Sequence, residues 1–84
     1  MNQVLMQAIV EAAMFLALSG DDAIQEDAAV TCLEQLAFTL KRLSTMDREA
    51  FVRYVAQLEA EERAGGGNER ADFLASLGDN LGLI

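Results

Sequence analysis

The sequence lacks the residue types that most metal sites and disulfides require. It contains no histidine and a single cysteine, Cys32, and it also has no proline and no tryptophan. One thiol excludes a disulfide within the chain, and a zinc ion would find almost no nitrogen or sulfur ligands. The beginning, Met1-Asn2-Gln3, has none of the positive charge of a secretory signal peptide. We therefore expect a cytoplasmic protein with no metal and no cofactor.

Basic residues are scarce, since six lysines and arginines stand against fourteen aspartates and glutamates, for a net charge of −8. Nucleic-acid affinity comes largely from neutralising phosphates, so this surface would repel a nucleic acid. An anionic membrane surface is disfavoured for the same reason. A basic protein partner is compatible with the charge, although acidity mostly indicates solubility.

What the sequence does contain points to helices. Its 84 residues are 52% apolar with five aromatic side chains, so the core must be built from aliphatic residues, alanine and methionine. Alanine, leucine, glutamate and glutamine are abundant, and these are strong helix formers. We predict a single all-α domain, residues 1–84, built as a compact bundle of three main helices with a short fourth helix and an apolar C-terminal tail.

The first helix, predicted over residues 3–19, is apolar on nearly every side. The run from Val4 to Leu18 is too short for a membrane span of about 20 apolar residues. Its predicted core stripe lies opposite the polar pair Gln7 and Glu11, and consists of Leu5, Ile9, Ala12 and Leu16. On the other side, Val10, Met14 and Leu18 form a second apolar face. Either the fourth helix and tail cover that face, or it contacts another chain.

The remaining helices are predicted over residues 26–43, 45–64 and 69–77, with Gly78 as the end of the last one. The short connection after Leu43 favours an antiparallel hairpin of the second and third helices, and glycines 65–67 form a flexible joint. The second helix has carboxylates in its first turn, and Ser44 and Asp47 begin the third in a capping-box-like arrangement. The predicted core residues are Ala29, Leu33, Leu36, Leu40 and Leu43; Phe51, Tyr54, Val55 and Leu58; Phe73, Leu74 and Leu77; and Leu81, Leu83 and Ile84 in the folded-back tail.

A pattern of short motifs runs from Leu18 to Ser44. An acidic SxDD connector (Ser19, Asp21, Asp22) precedes Asp27-Ala28-Ala29-Val30, then the pair Leu33-Glu34, then Arg42-Leu43-Ser44 at a helix junction. In this the chain resembles a group of short acidic all-helical bacterial proteins of unassigned function. It departs from that group at Gln25, where an acidic residue is expected, and at Glu26, where proline is common. The resemblance implies a bacterial helical protein and no particular activity.

Residues with catalytic or ligand-binding chemistry have simpler interpretations. The acidic cluster at Asp21 and Asp22 lacks the ligand spacing of an EF-hand and is explained by helix-dipole compensation. Glu11 is interpreted as part of a solvent-facing polar stripe with Gln7, and Cys32 as a small buried hydrophobe at the edge of the core. An acyl carrier is excluded because no serine stands where its prosthetic group would attach. We predict no enzyme activity.

The function predicted is a small acidic protein-interaction module, of the adaptor, immunity or antitoxin type, that binds a basic partner. The alternative is a structural or regulatory homodimer that packs through the first helix. Phe38 lies almost opposite the apolar stripe of the second helix, which makes it a further contact candidate. The candidate interface residues are Val10, Met14, Leu18, Phe38, Asp21 and Asp22.

Overall fold

Four α-helices make up the described part of the chain. The computed structural model describes residues 1–20 and 24–83. Its helices are α1 (Gln3–Leu18), α2 (Glu26–Leu40), α3 (Thr45–Ala64) and α4 (Asn68–Asn80). No strand occurs within the described residues. The predicted all-α bundle is confirmed, although α4 is longer than expected.

Side chains cap the beginnings of two helices. Asn2 Oδ1 accepts the Val4 N–H at 2.7 Å at the start of α1, and Ser44 Oγ accepts the Asp47 N–H at 3.1 Å at the start of α3. Each bond satisfies a backbone donor that has no partner within its helix. Glu26 and Asp27 occupy the first turn of α2, as predicted, but that helix has no side-chain cap.

Two predicted helix ends were wrong. α2 ends at Leu40 and the chain turns through residues 41–44, three residues earlier than predicted. α4 continues through Gly78, which is buried, to Asn80. The glycine that ends α4 is Gly82, whose φ of +71° suits a residue without a Cβ.

The three glycines after α3 form a hydrogen-bonded cap, where a flexible joint was predicted. Gly66 has a φ of +85° and donates its N–H to the carbonyl of Arg63 at 3.2 Å. Gly67 donates to the carbonyl of Glu62 at 2.8 Å. This pair of bonds is the Schellman motif, which satisfies the free carbonyls at a helix end. The turn therefore sets the direction in which α4 leaves α3.

The helices pack in an order that differs from the predicted one. The most extensive packing joins α3 to α4, followed by α1 to α2, and α2 and α3 contact each other little. The predicted hairpin of α2 and α3 is therefore wrong. Two ion pairs bridge α3 and α4 across the glycine turn: Arg63 Nη1 lies 3.2 Å from Asp72 Oδ1, and Arg70 Nε lies 3.0 Å from Glu62 Oε1.

The core draws apolar residues from all four helices and from the tail. The predicted core residues of α2, α3, α4 and the tail are buried or half-buried, which confirms those stripes, with Ile84 outside the described residues. Phe51 is completely buried. The buried cluster consists of Met6, Val10, Ala13, Met14, Leu40, Phe51, Tyr54, Val55, Leu74, Leu77, Leu81 and Leu83.

Candidate functional site

The first helix packs through the face that was predicted to be its unfinished side. Val10 is 3% exposed and Met14 is 9% exposed, within the same cluster as Leu74 and Leu77 of α4 and the tail residues. The predicted contact role of Val10 and Met14 is therefore wrong, because neither offers surface to another chain. The bundle itself covers this face, and the helices that contact α1 most are α2 and α3 rather than the predicted α4.

The position of the polar pair Gln7 and Glu11 explains why the packed face of α1 was predicted wrongly. At about 100° per residue, Gln7 and Glu11 fall at the edge between two apolar faces rather than at the centre of the solvent side. Periodicity alone placed the core opposite them, through Leu5, Ile9, Ala12 and Leu16. In the structure Leu5 and Ala12 are exposed, and Ile9 and Leu16 are half-buried. The predicted core stripe of α1 was wrong in this respect.

Opposite the packed side, α1 presents a continuous apolar surface, which we call the outer face. Val4 is 72% exposed, Leu5 58%, Phe15 53% and Leu18 37%. Soluble monomers seldom leave a large contiguous apolar patch uncovered. Of these four residues, only Leu18 was predicted from the sequence as a contact residue, and Leu5 was placed in the core. The outer face consists of Val4, Leu5, Ala8, Ala12, Phe15 and Leu18.

The middle of the outer face follows a heptad-like spacing. Leu5, Ala8, Ala12 and Phe15 are separated by three, four and three residues, and this alternation is the pattern of a seam between two packed helices. The spacing was available in the sequence. It was hidden there because apolar residues surround it on nearly every side of the helix.

Charge is almost absent from α1. Glu11 is the only ionisable side chain among its 16 residues. Glu11 is exposed, and its Oε2 accepts a hydrogen bond from Gln7 Nε2 at 2.8 Å. The prediction that these two side chains form a solvent-facing polar stripe is confirmed. Glu11 lies seven residues from both Val4 and Leu18 and is the one charged side chain on the outer face, beside the line from Leu5 to Phe15.

The other predicted contact residues do not join this face. Phe38 is 69% exposed on α2, and its neighbours Glu34 and Gln35 in the helix and Arg42 in the following turn are polar and exposed as well. A single exposed aromatic side chain in polar surroundings needs no special explanation. Asp21 and Asp22 lie outside the described residues.

Two clefts border the C-terminal half of α1. One, of about 430 Å³, lies between the end of α1 and the start of α2 and is lined by Leu16, Ala17, Ser19, Ile24, Glu26, Ala29, Val30 and Leu33. Another, of about 310 Å³, is lined by Glu11, Met14, Phe15, Leu18, Ser19 and Arg70. The lining of the first is mostly apolar, whereas half of the residues lining the second are polar or charged. The second is continuous with the outer face through Phe15 and Leu18.

Among the described residues, polar groups elsewhere lie mostly at the surface, with the buried Arg48 Nε as an exception. The described side chains include no polar or charged residue that is buried as a whole, and no group of three or more aspartates, glutamates or cysteines among them is placed to hold a metal ion. Cys32 is exposed, so its predicted burial was wrong. No described helix is both long enough and apolar enough to cross a membrane.

Two ionisable groups have shifted pKa values because of neighbouring charges. The Met1 ammonium donates a hydrogen bond to Asp47 Oδ1 at 2.8 Å and lowers the pKa of that carboxyl. Hydrogen bonds to Glu59 and Asp72 raise the pKa of the Arg63 guanidinium. These three surface ion pairs are of the kind that stabilises a fold modestly, and none lies on the outer face.

The chain matches no protein-family model, no curated protein and no solved structure. Its resemblance to short acidic bacterial proteins therefore stays a prediction. The outer face of α1 is the structural feature from which a function can be inferred.

Proposed function

We propose that this protein is a non-catalytic protein-interaction module of the cytoplasm, and that the outer face of α1 is its contact surface. One observation carries the proposal: four large apolar side chains, Val4, Leu5, Phe15 and Leu18, are exposed together on one helix. Burying such side chains against a partner gains about 25 cal/mol per Å² of apolar surface removed from water. Leaving them in water forgoes that gain.

The net charge of −8 supports a basic partner for an adaptor, immunity or antitoxin-type role. In such a complex the apolar contact would come from α1. The long-range attraction would come from the carboxylates of the other helices, which increase the rate of encounter more than the final affinity.

A structural or regulatory homodimer is the second candidate. It is favoured by the heptad-like spacing of Leu5, Ala8, Ala12 and Phe15, because that spacing fits one helix packed along another. Both candidates use the same face, and they differ in what covers it.

A photo-crosslinking amino acid at position 15 tests the contact surface inside cells that express the protein. The matched control carries the same group at position 38, since Phe15 and Phe38 are both exposed phenylalanines on different helices. We expect protein adducts at position 15 in at least several-fold excess over position 38. Equal yields at the two positions, or none at position 15, would contradict the proposal.

A further inference from the structure

We propose that the occupant of the outer face is a second copy of this chain, with the two α1 helices packed antiparallel about a two-fold axis. This inference rests on the proposed function and names the partner of the same surface. Three features of α1 carry it: its spacing, its charge and the order of its side-chain sizes.

The spacing of the outer face fits a helical partner. Leu5, Ala8, Ala12 and Phe15 lie on one line along α1 and are exposed. From Leu5 to Phe15 the line is about 15 Å long, at about 1.5 Å per residue. A straight helix of the same length covers such a line better than a loop or a sheet edge, because ridges of side chains on one helix enter the grooves of the other.

The distribution of charge singles out α1 as the face on which two copies can meet. The chain has a net charge of −8, so most approaches of one copy to another are repulsive. All acidic residues except Glu11 lie outside α1. A contact through the outer face brings apolar surfaces together and keeps the remaining carboxylates away from the interface.

The order of side-chain sizes along the line indicates the antiparallel orientation. Large residues, Leu5 and Phe15, stand at its ends, and the small residues Ala8 and Ala12 stand between them. Rotation about an axis midway between the alanines places Leu5 of one copy against Phe15 of the other, and Ala8 against Ala12. The alanines permit close approach of the two helices, at the short end of the usual range of about 8–10 Å. The opposed helix dipoles also favour this orientation.

The small area of the contact limits its strength. One face of a single four-turn helix offers less than the roughly 800 Å² per partner of a standard interface. We therefore expect a reversible dimer with a dissociation constant on the order of micromolar, because a small interface must also offset the lost translational freedom.

Sedimentation equilibrium of the full chain tests the dimer, and Phe15→Glu and Phe38→Glu form a matched pair. We expect a concentration-dependent monomer–dimer equilibrium whose dissociation constant rises at least ten-fold in F15E and stays unchanged in F38E. Circular dichroism of both variants verifies that the helices remain folded, as expected for two exposed positions. A mass that stays monomeric for the wild type at every concentration would overturn the self-pairing.

Disulfide trapping tests the orientation. In a Cys32→Ser background, we expect a mixture of the Ala8→Cys and Ala12→Cys variants to form mixed 8–12 disulfides several-fold faster than 8–8 or 12–12 disulfides. A parallel pair would give the reverse order and overturn the proposed geometry. If the wild type is monomeric while position 15 still crosslinks to a different protein in cells, the second copy is wrong and the interaction module stands. A dimer weakened equally by F15E and F38E would contradict both proposals.

Discussion

The backbone N–H of Leu83 donates to the carbonyl of Gly78 at 2.8 Å, and this bond folds the chain end back onto the bundle. The carbonyl of Asp79 accepts the N–H of Gly82 at 3.0 Å, and the φ of Gly82 is +71°. Together these bonds form a Schellman cap on α4. The cap places the Leu83 side chain in the core, where it is 5% exposed.

Shortening Leu83 should therefore destabilise the fold. We expect Leu83→Ala to lower the free energy of unfolding by about 2–5 kcal/mol, the range for truncating a buried leucine. Leu5→Ala is the matched control, because Leu5 is 58% exposed; its effect should stay within about 0.5 kcal/mol. Urea denaturation at low protein concentration, where any dimer is dissociated, measures both. Equal losses would contradict the folded-back tail.

The glycine turn after α3 should respond differently at neighbouring positions. Gly66 has a φ of +85° and open space where an alanine methyl would lie, so Gly66→Ala costs backbone strain alone. We expect it to destabilise the fold by about 1–2 kcal/mol. Gly65 has a φ of −87°, and a Cβ there would make ordinary contacts with the Glu61 carbonyl. Gly65→Ala should therefore be neutral or slightly stabilising. Thermal unfolding of the two variants gives the comparison, and an equal effect would mean that the turn is unconstrained.

Two phenylalanines at opposite extremes of exposure test the position of the core. Phe51 is completely buried, whereas Phe38 is 69% exposed. We expect Phe51→Ala to lower the free energy of unfolding by about 3–5 kcal/mol, a large part of the total stability of so small a domain. Phe38→Ala should change it by less than about 0.5 kcal/mol. Chemical denaturation followed by circular dichroism measures both variants. A costly Phe38→Ala would indicate that Phe38 packs against the fold.

The ion pair between the Met1 ammonium and Asp47 predicts a dependence of stability on pH. The pKa of Asp47 is lowered in the folded protein, first by the hydrogen bond from that ammonium. A carboxyl with a lower pKa in the folded state stabilises the fold above its ordinary pKa. That stabilisation disappears as the pH falls through the lowered value. We expect Asp47→Asn to reduce the urea midpoint near neutral pH and to leave it unchanged near about pH 2. The same loss at both pH values would contradict this account.

Sequence reasoning predicted the helices well where one face was clearly apolar. The stripes containing Phe51, Tyr54 and Leu74 are buried as expected. Polar residues occupy the other side of each helix, so only one face could pack into the core. The ends of the helices were harder to predict from the sequence. Glycine is the usual residue after a helix, but Gly78 lies inside α4. The glycine that follows the end of α4 is Gly82, whose φ is positive.

The candidate site was the part that sequence reasoning could not place. α1 is apolar on two faces, so burying either face gains similar hydrophobic energy, and the choice depends on the shape of the space left by α2, α3 and α4. The structure buries Met6, Val10, Ala13 and Met14. The prediction that α1 carries surplus apolar surface agrees with the structure, but of the three residues predicted for that surface only Leu18 is exposed.

Hydroxyl-radical footprinting of Phe15 and Phe38 tests the central claim most directly, because both side chains are exposed in the isolated chain. The two oxidation rates are measured in dilute purified protein and again in intact cells that express it. We expect Phe15 to become protected in cells by several-fold relative to Phe38, since a partner or a second copy covers the outer face of α1. An unchanged ratio of the two rates would show that this face stays in water, and would contradict the account.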